Sequence, residues 1–135
     1  MPFMNWDEKF SVNIGEIDSQ HKKLFALINE LFDGMRAGRG KDILGAVLSD
    51  LIAYTVYHFN TEERIFQQYG YPERIKHKQE HDELTRKAKE LKADFEGGNR
   101  MISIEVMNFL RDWLNVHILQ EDKKYVPFLT SKGVK

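Results

Sequence analysis

Apolar residues recur every three or four positions through four long stretches of this chain, and glycine or proline sits between most of them. That period marks α-helices with one buried face, whereas a strand needs a period of two. The first stretch has the seam Ile17, Leu24, Ile28, Leu31 and Met35, with Asp18 or Ser19 as its cap, and glycines end it in GMRAGRG. The second runs from about Lys41 to Tyr69 on Leu44, Leu48, Leu51, Thr55, His58, Glu62, Ile65 and Tyr69, until YGYP breaks it. In the third, Pro72 suits the first turn and the seam is His77, His81, Leu84, Ala88, Leu91 and Phe95, closed by EGGNR. The fourth runs from about Met101 past His117, with Ile102, Val106, Phe109, Leu110, Trp113 and Leu114 inward. Only a short arm alternates, at Phe10, Val12 and Ile14, and it is expected to lie extended on the body. Helices of similar length with short loops predict an all-α, up-down-up-down four-helix bundle. The chain reads as one domain over 1–135: an N-terminal arm over 1–16, the bundle over 17–119 and a C-terminal segment over 120–135.

The 135 residues are enough for one real core. Twenty basic and 21 acidic residues nearly cancel, which leaves no basic field for nucleic acid and no polybasic patch for a membrane. The one basic cluster, RAGRGK at Arg36–Lys41, reads as a solvated loop between helices. No stretch is apolar enough to span a bilayer, and MPFMNWDEKF does not look like a signal peptide, so the cytoplasm is the expected location. There is no cysteine, so any metal must be held by nitrogen and oxygen. P-loop, dinucleotide-binding, nucleophile-elbow and zincin motifs are absent.

The histidines carry the chemistry. HKQEH places His77 and His81 four apart, which on a helix points both rings the same way. Alone, such a pair is commonly two solvated residues. Yet all five histidines, at 21, 58, 77, 81 and 117, fall on inward seams, and every helix contributes. Buried imidazoles need partners, and seams of Leu, Ile and Phe offer few. Glu62 lies four residues after His58 on the same face, a costly place for an unpaired carboxylate. Alternating helix directions also agree: the start of the first helix, the far half of the second, the start of the third and the end of the fourth meet at one end of the bundle. A metal cluster follows. Asp122 is harder to place, because five residues after His117 is about 140° off the same face of a regular helix. Geometry alone reads it as an exposed residue of QEDKK; it reaches the site only through a frayed end, a 3₁₀ turn or a π turn.

The pieces DSQH at Asp18–His21, HFNTEE at His58–Glu63, HKQEH, and RDWLNVHILQED ending in His117 and Asp122 together resemble the hemerythrin family, in particular its single-domain bacterial members, the bacteriohemerythrins. They span about three quarters of the chain in the family's order, and every metal-ligand position of the pattern is filled. The resemblance implies two iron ions (Fe2+/Fe3+) with a bridging oxo or hydroxo oxygen. One iron takes His77, His81 and His117; the other takes His21 and His58; Glu62 and Asp122 bridge them. Tyr125 also matches a family position behind the ligands. Five imidazoles, two bridging carboxylates and one bridging oxygen fill all but one position of two six-coordinate ions, and the open one lies on the iron with two histidines. Trp113, Leu114, Phe59 and Leu24 are expected to wall that oxygen pocket.

Imidazole and carboxylate donors suit iron, and by donor type alone also zinc or manganese. The family's chemistry is reversible binding of dioxygen as a hydroperoxide, for carriage, storage or sensing, without enzymatic turnover. Oxygen-activating di-iron bundles use Glu-x-x-His motifs, and none of the histidines here has a glutamate three residues before it. The alternative is a di-iron enzyme of peroxidase or nitric oxide reductase type at the same site. Dioxygen is the one expected partner, and the expected state is a monomer.

Overall fold

The computed structural model describes residues 3–98 and 104–135. Four long helices dominate them: α1 (Gly15–Arg36), α2 (Lys41–Tyr69), α3 (Arg74–Glu96) and α4 (Ile104–Val116). A π-helical turn (His117–Glu121), a 3₁₀ turn (Asp122–Tyr125) and a short α5 (Val126–Ser131) complete the chain. No strand occurs among the described residues. The four-helix bundle read from the periodicity is the observed architecture.

Local chemistry explains most boundaries. α2 stops because Gly70 takes the left-handed conformation, φ 69°, from which its N–H caps the Phe66 carbonyl. The start of α1 differs from expectation. Neither Asp18 nor Ser19 is its cap; the helix begins earlier, after Ile14. Asp18 instead ties the arm down, accepting hydrogen bonds from Ser11 Oγ (2.6 Å) and Val12 N–H (2.8 Å). Pro72 lies ahead of α3 in a turn rather than in its first turn. The arm is not extended throughout, for Asp7 caps a 3₁₀ turn at Glu8–Phe10. Met101 and Ile102, read as the start of the fourth helix, lie outside the described residues. Phe109 is 50% exposed rather than inward, at the edge of a groove between α3 and α4.

Two apolar clusters form the interior. The larger is built from Leu24, Ile28, Leu31, Leu48, Leu51, Leu91, Phe95, Met107, Leu110 and Leu114, among others. The smaller joins the arm to the C-terminal segment through Val12, Ile14, Ile17, Ile65, Phe66, Tyr71, Tyr125 and Leu129. Burying such side chains stabilises the fold by about 1.5–3 kcal/mol each. Ile17 and Leu24 bracket His21 on α1, yet they belong to different clusters. The polar centre therefore sits between two apolar bodies.

Candidate metal centre

Ordinary helical spacing delivers the histidines of α1, α2 and α3. His58 and Glu62 are four apart on α2, and His77 and His81 four apart on α3, so each pair shares a face. His21 comes from the second turn of α1. His117 opens the π-helical turn after α4. All five rings are buried, none more than 4% exposed, and Glu62 and Asp122 are fully buried.

Asp122 reaches the centre because the backbone changes period. In a π turn the hydrogen bonds run i→i+5, so residues five apart stack. Asp122 N–H bonds to the carbonyls of His117 and Ile118, which swings its carboxylate beneath the His117 ring. Asp122 Oδ1 then lies 3.1 Å from His117 Nε2 and 3.1 Å from His77 Nε2, while Oδ2 lies 3.1 Å from His21 Nε2. Its two oxygens face two different groups of rings. Glu62 stands opposite. Its Oε1 is 3.1 Å from His81 Nε2 and 3.4 Å from His58 Nε2, and its Oε2 accepts a 2.6 Å hydrogen bond from the Tyr125 hydroxyl.

The ligand-type atoms fall into two overlapping sets. One holds Glu62, His77, His81, His117 and Asp122; the other holds His21, His58, Glu62 and Asp122. Glu62 Oε1, both Asp122 oxygens and the Nε2 atoms of His77, His81 and His117 are buried with no hydrogen-bond partner. Orphaned polar atoms in an interior are costly, and here they aim at shared points rather than at one another. His21 Nε2 and His58 Nε2 are 3.0 Å apart. Donors about 2.1 Å from one ion and at right angles to each other are separated by about 3 Å. The residues fit metal ions.

Charge and burial oppose one another among these side chains. Burial drives His58 down to about 4, against the pull of Glu62. For His81 burial acts downward too, but the Glu62 and Glu63 carboxylates beside it outweigh burial and hold the ring up at about 9. Glu62 is pushed up by burial and by Asp122, yet the rings of His58 and His81 bring it to about 2. Burial also opposes ionisation of Asp122, and the surrounding imidazoles reverse it, leaving the carboxyl well below its ordinary range.

The expected pocket residues separate into two kinds. Phe59 stacks flat on His81, with centroids 3.8 Å apart and planes 4° apart, and also borders His117 and His58. Leu24 and Leu114 are buried in the larger cluster, and Trp113 packs half-buried against it. Trp113 and His117 line the α3–α4 groove together with Leu84 and Phe109. Sequence reasoning missed Gln20 and Glu63. Gln20 Oε1 lies 2.7 Å from His58 Nδ1, and Glu63 Oε2 lies 3.2 Å from His81 Nδ1. Their one signal was position, since each adjoins a ligand-type residue, and Gln20 is a polar residue 4% exposed inside a bundle.

Known proteins share the sequence pattern and the fold over most of the chain. A sequence model of the hemerythrin HHE cation binding domain matches residues 12–129. Bacteriohemerythrin of Methylococcus capsulatus (Bath) is 38% identical over 132 residues, covering 97% of this chain and all of that protein. A hemerythrin-like protein of Naegleria gruberi is 36% identical, covering 92% of this chain and 91% of its own. The crystal structure of a wild-type hemerythrin superposes with a TM-score of 0.86 at 38% identity, covering 93% of this chain and 96% of that one. The chain belongs to the hemerythrin family.

Proposed function

We propose that this protein is a non-haem di-iron protein that binds dioxygen reversibly, for carriage, storage or sensing. One observation carries the reading: two overlapping donor sets, one with three imidazoles and one with two, share Glu62 and Asp122. His77, His81 and His117 would hold one iron and His21 and His58 the other, with Glu62 and Asp122 common to both sets. The set with fewer imidazoles would leave room for dioxygen, and two ferrous ions held there would supply the electrons for binding it reversibly.

The remaining chemistry belongs to this chain's own side chains. Tyr125 donates its hydroxyl proton to Glu62 Oε2 and holds that carboxylate in one orientation. Phe59, stacked on His81, keeps water from the ring face, and Leu24 and Leu114 extend the dry wall from the larger apolar cluster. A dry wall protects bound dioxygen from protons, and a low-dielectric pocket disfavours any change in net charge. No described helix is long and apolar enough to cross a membrane.

The test is anaerobic loading with ferrous iron, metal analysis, and optical spectra through cycles of air, reduction and air. Two irons per chain and a spectrum that returns on each reoxygenation support the reading. Fewer irons, or a spectrum that air bleaches once and for all, refutes it. Catalytic loss of added peroxide or nitric oxide by the same preparation supports the enzyme alternative instead.

A further inference from the structure

Two rings of the centre are backed by chemically different groups. Behind His58 stands a neutral amide. With Nε2 turned to the centre, His58 Nδ1–H donates to Gln20 Oε1 at 2.7 Å. Gln20 Nε2 donates to Thr61 Oγ1 at 3.2 Å, and the Thr61 hydroxyl donates to the Tyr57 carbonyl at 3.1 Å. That chain fixes which way the amide faces. Behind His81 stands a carboxylate instead: Nδ1–H donates to Glu63 Oε2 at 3.2 Å. Lys78 Nζ lies 3.8 Å from Glu63 Oε1 and 2.9 Å from Asp82 Oδ2. Gln20 and Thr61 are buried, while Glu63 is 22% exposed and Lys78 lies at the surface.

A carboxylate that draws on the Nδ1 proton makes an imidazole a stronger donor through Nε2, and an amide does so much less. The two rings also belong to different donor sets. His58 lies in the set with two imidazoles and His81 in the set with three. We propose that Gln20 and Glu63 are positioning residues that make the two metal positions electronically unequal. Glu63 strengthens His81 and favours the oxidised state on the three-histidine side. Gln20 fixes His58 as the weaker donor, so the first electron delivered to the oxidised pair goes to the two-histidine side. That is the side with the free position. The inference rests on the di-iron reading above, and it adds an order of reduction that the ligand set alone does not specify.

The experiment is a potentiometric titration with dithionite through redox mediators, one electron per iron, on the parent protein and three variants. Glu63→Gln keeps an acceptor for His81 but removes the charge. Outer partners of metal-bound histidine are worth about 10–100-fold in metal affinity. Lost from the ferric state alone, that factor raises the lower potential by about 60–120 mV, at 59 mV per tenfold for one electron. Gln20→Glu lowers the higher potential, so each of these changes narrows the gap. Lys78→Met touches no ligand and leaves Glu63 without its counter-charge, so at low salt it widens the gap. Glu63→Gln with two irons and unmoved potentials overturns the proposal. Should Glu63→Gln lose iron, Lys78→Met decides: a widened gap supports the proposal and an unchanged gap overturns it. Proton NMR of the zinc-loaded protein reads the same contact without iron. The His81 Nδ1 proton resonance moves upfield in Glu63→Gln, and a resonance that stays overturns the proposal. A parent protein that holds zinc but never two irons refutes the di-iron reading, while the zinc measurement still judges the Glu63–His81 contact.

Discussion

Tyr125→Phe removes one oxygen atom from the most deeply buried polar contact behind the centre. The Tyr125 hydroxyl donates to Glu62 Oε2 at 2.6 Å, and both residues are fully buried, so water cannot replace the lost donor. At neutral pH the pair is phenol and carboxylate. Burial and the nearby Glu62 charge hold the phenol well above its ordinary value, and Glu62 titrates at about 2. A hydrogen bond to a charged acceptor contributes about 1.5–3 kcal/mol. The ring itself keeps its place against Phe66 and His77, at centroid distances of 5.1 and 5.7 Å, so no cavity term is added. At about 2.1 cal/mol/K per residue the unfolding entropy of the chain is about 0.28 kcal/mol/K. The metal-free variant should therefore melt about 5–10 °C below the parent. In the loaded protein the cation at Oε1 neutralises part of the carboxylate charge, and the difference should shrink. Thermal unfolding followed by far-ultraviolet circular dichroism measures both. Tyr71→Phe is the control, because Tyr71 packs in the same cluster and its hydroxyl makes no hydrogen bond among the described residues. If the metal-free Tyr125→Phe chain melts with the parent, or no lower than the control, the hydroxyl does not hold Glu62.

Glu62→Ala should lose at least one iron per chain by elemental analysis, since its carboxylate belongs to both donor sets; two irons with an unchanged spectrum contradict the shared assignment. Metal uptake should strengthen with pH. His81 of the metal-free chain titrates at about 9, so loading at neutral pH expels its proton, and that ring alone weakens affinity by about tenfold per pH unit below that value. The sign for folding is opposite: because the folded value lies above the ordinary 6.5, the His81 contribution to metal-free stability is complete below pH 6.5 and is lost as pH rises through about 9. His58, at about 4, destabilises the metal-free fold as pH falls below 6.5, and competition titrations and melts across this range separate the two rings. Leu114→Ala should cost about 2–5 kcal/mol of stability, since the side chain is 2% exposed in the larger cluster, and should speed the decay of the oxygenated absorbance with iron content intact. Equal decay rates would show that Leu114 does not wall the pocket.

Asp122 marks the limit of what this sequence tells its reader. The long seams were legible because burial imposes one period: Leu44, Leu48 and Leu51 of α2, and Leu91 and Phe95 of α3, are buried where that period places them. Boundaries were less legible because rival local bonds decide them, as when Asp18 turns to Ser11 and Val12 instead of capping a helix. Phe109 misled because a groove between α3 and α4 leaves it half-exposed, and no periodicity reports where two helices part. At Asp122 the same period pointed the wrong way, to solvent. Only the demand of a histidine-rich centre for a second carboxylate, together with the family pattern, required a break in the α-helix, and the structure has a π turn there. Nothing in HILQED encodes a π turn by propensity. The turn costs regular α-helical hydrogen bonding between His117 and Glu121, and what it brings together is Asp122 with His21, His77 and His117. Local rules fail where the site needs a geometry they do not supply.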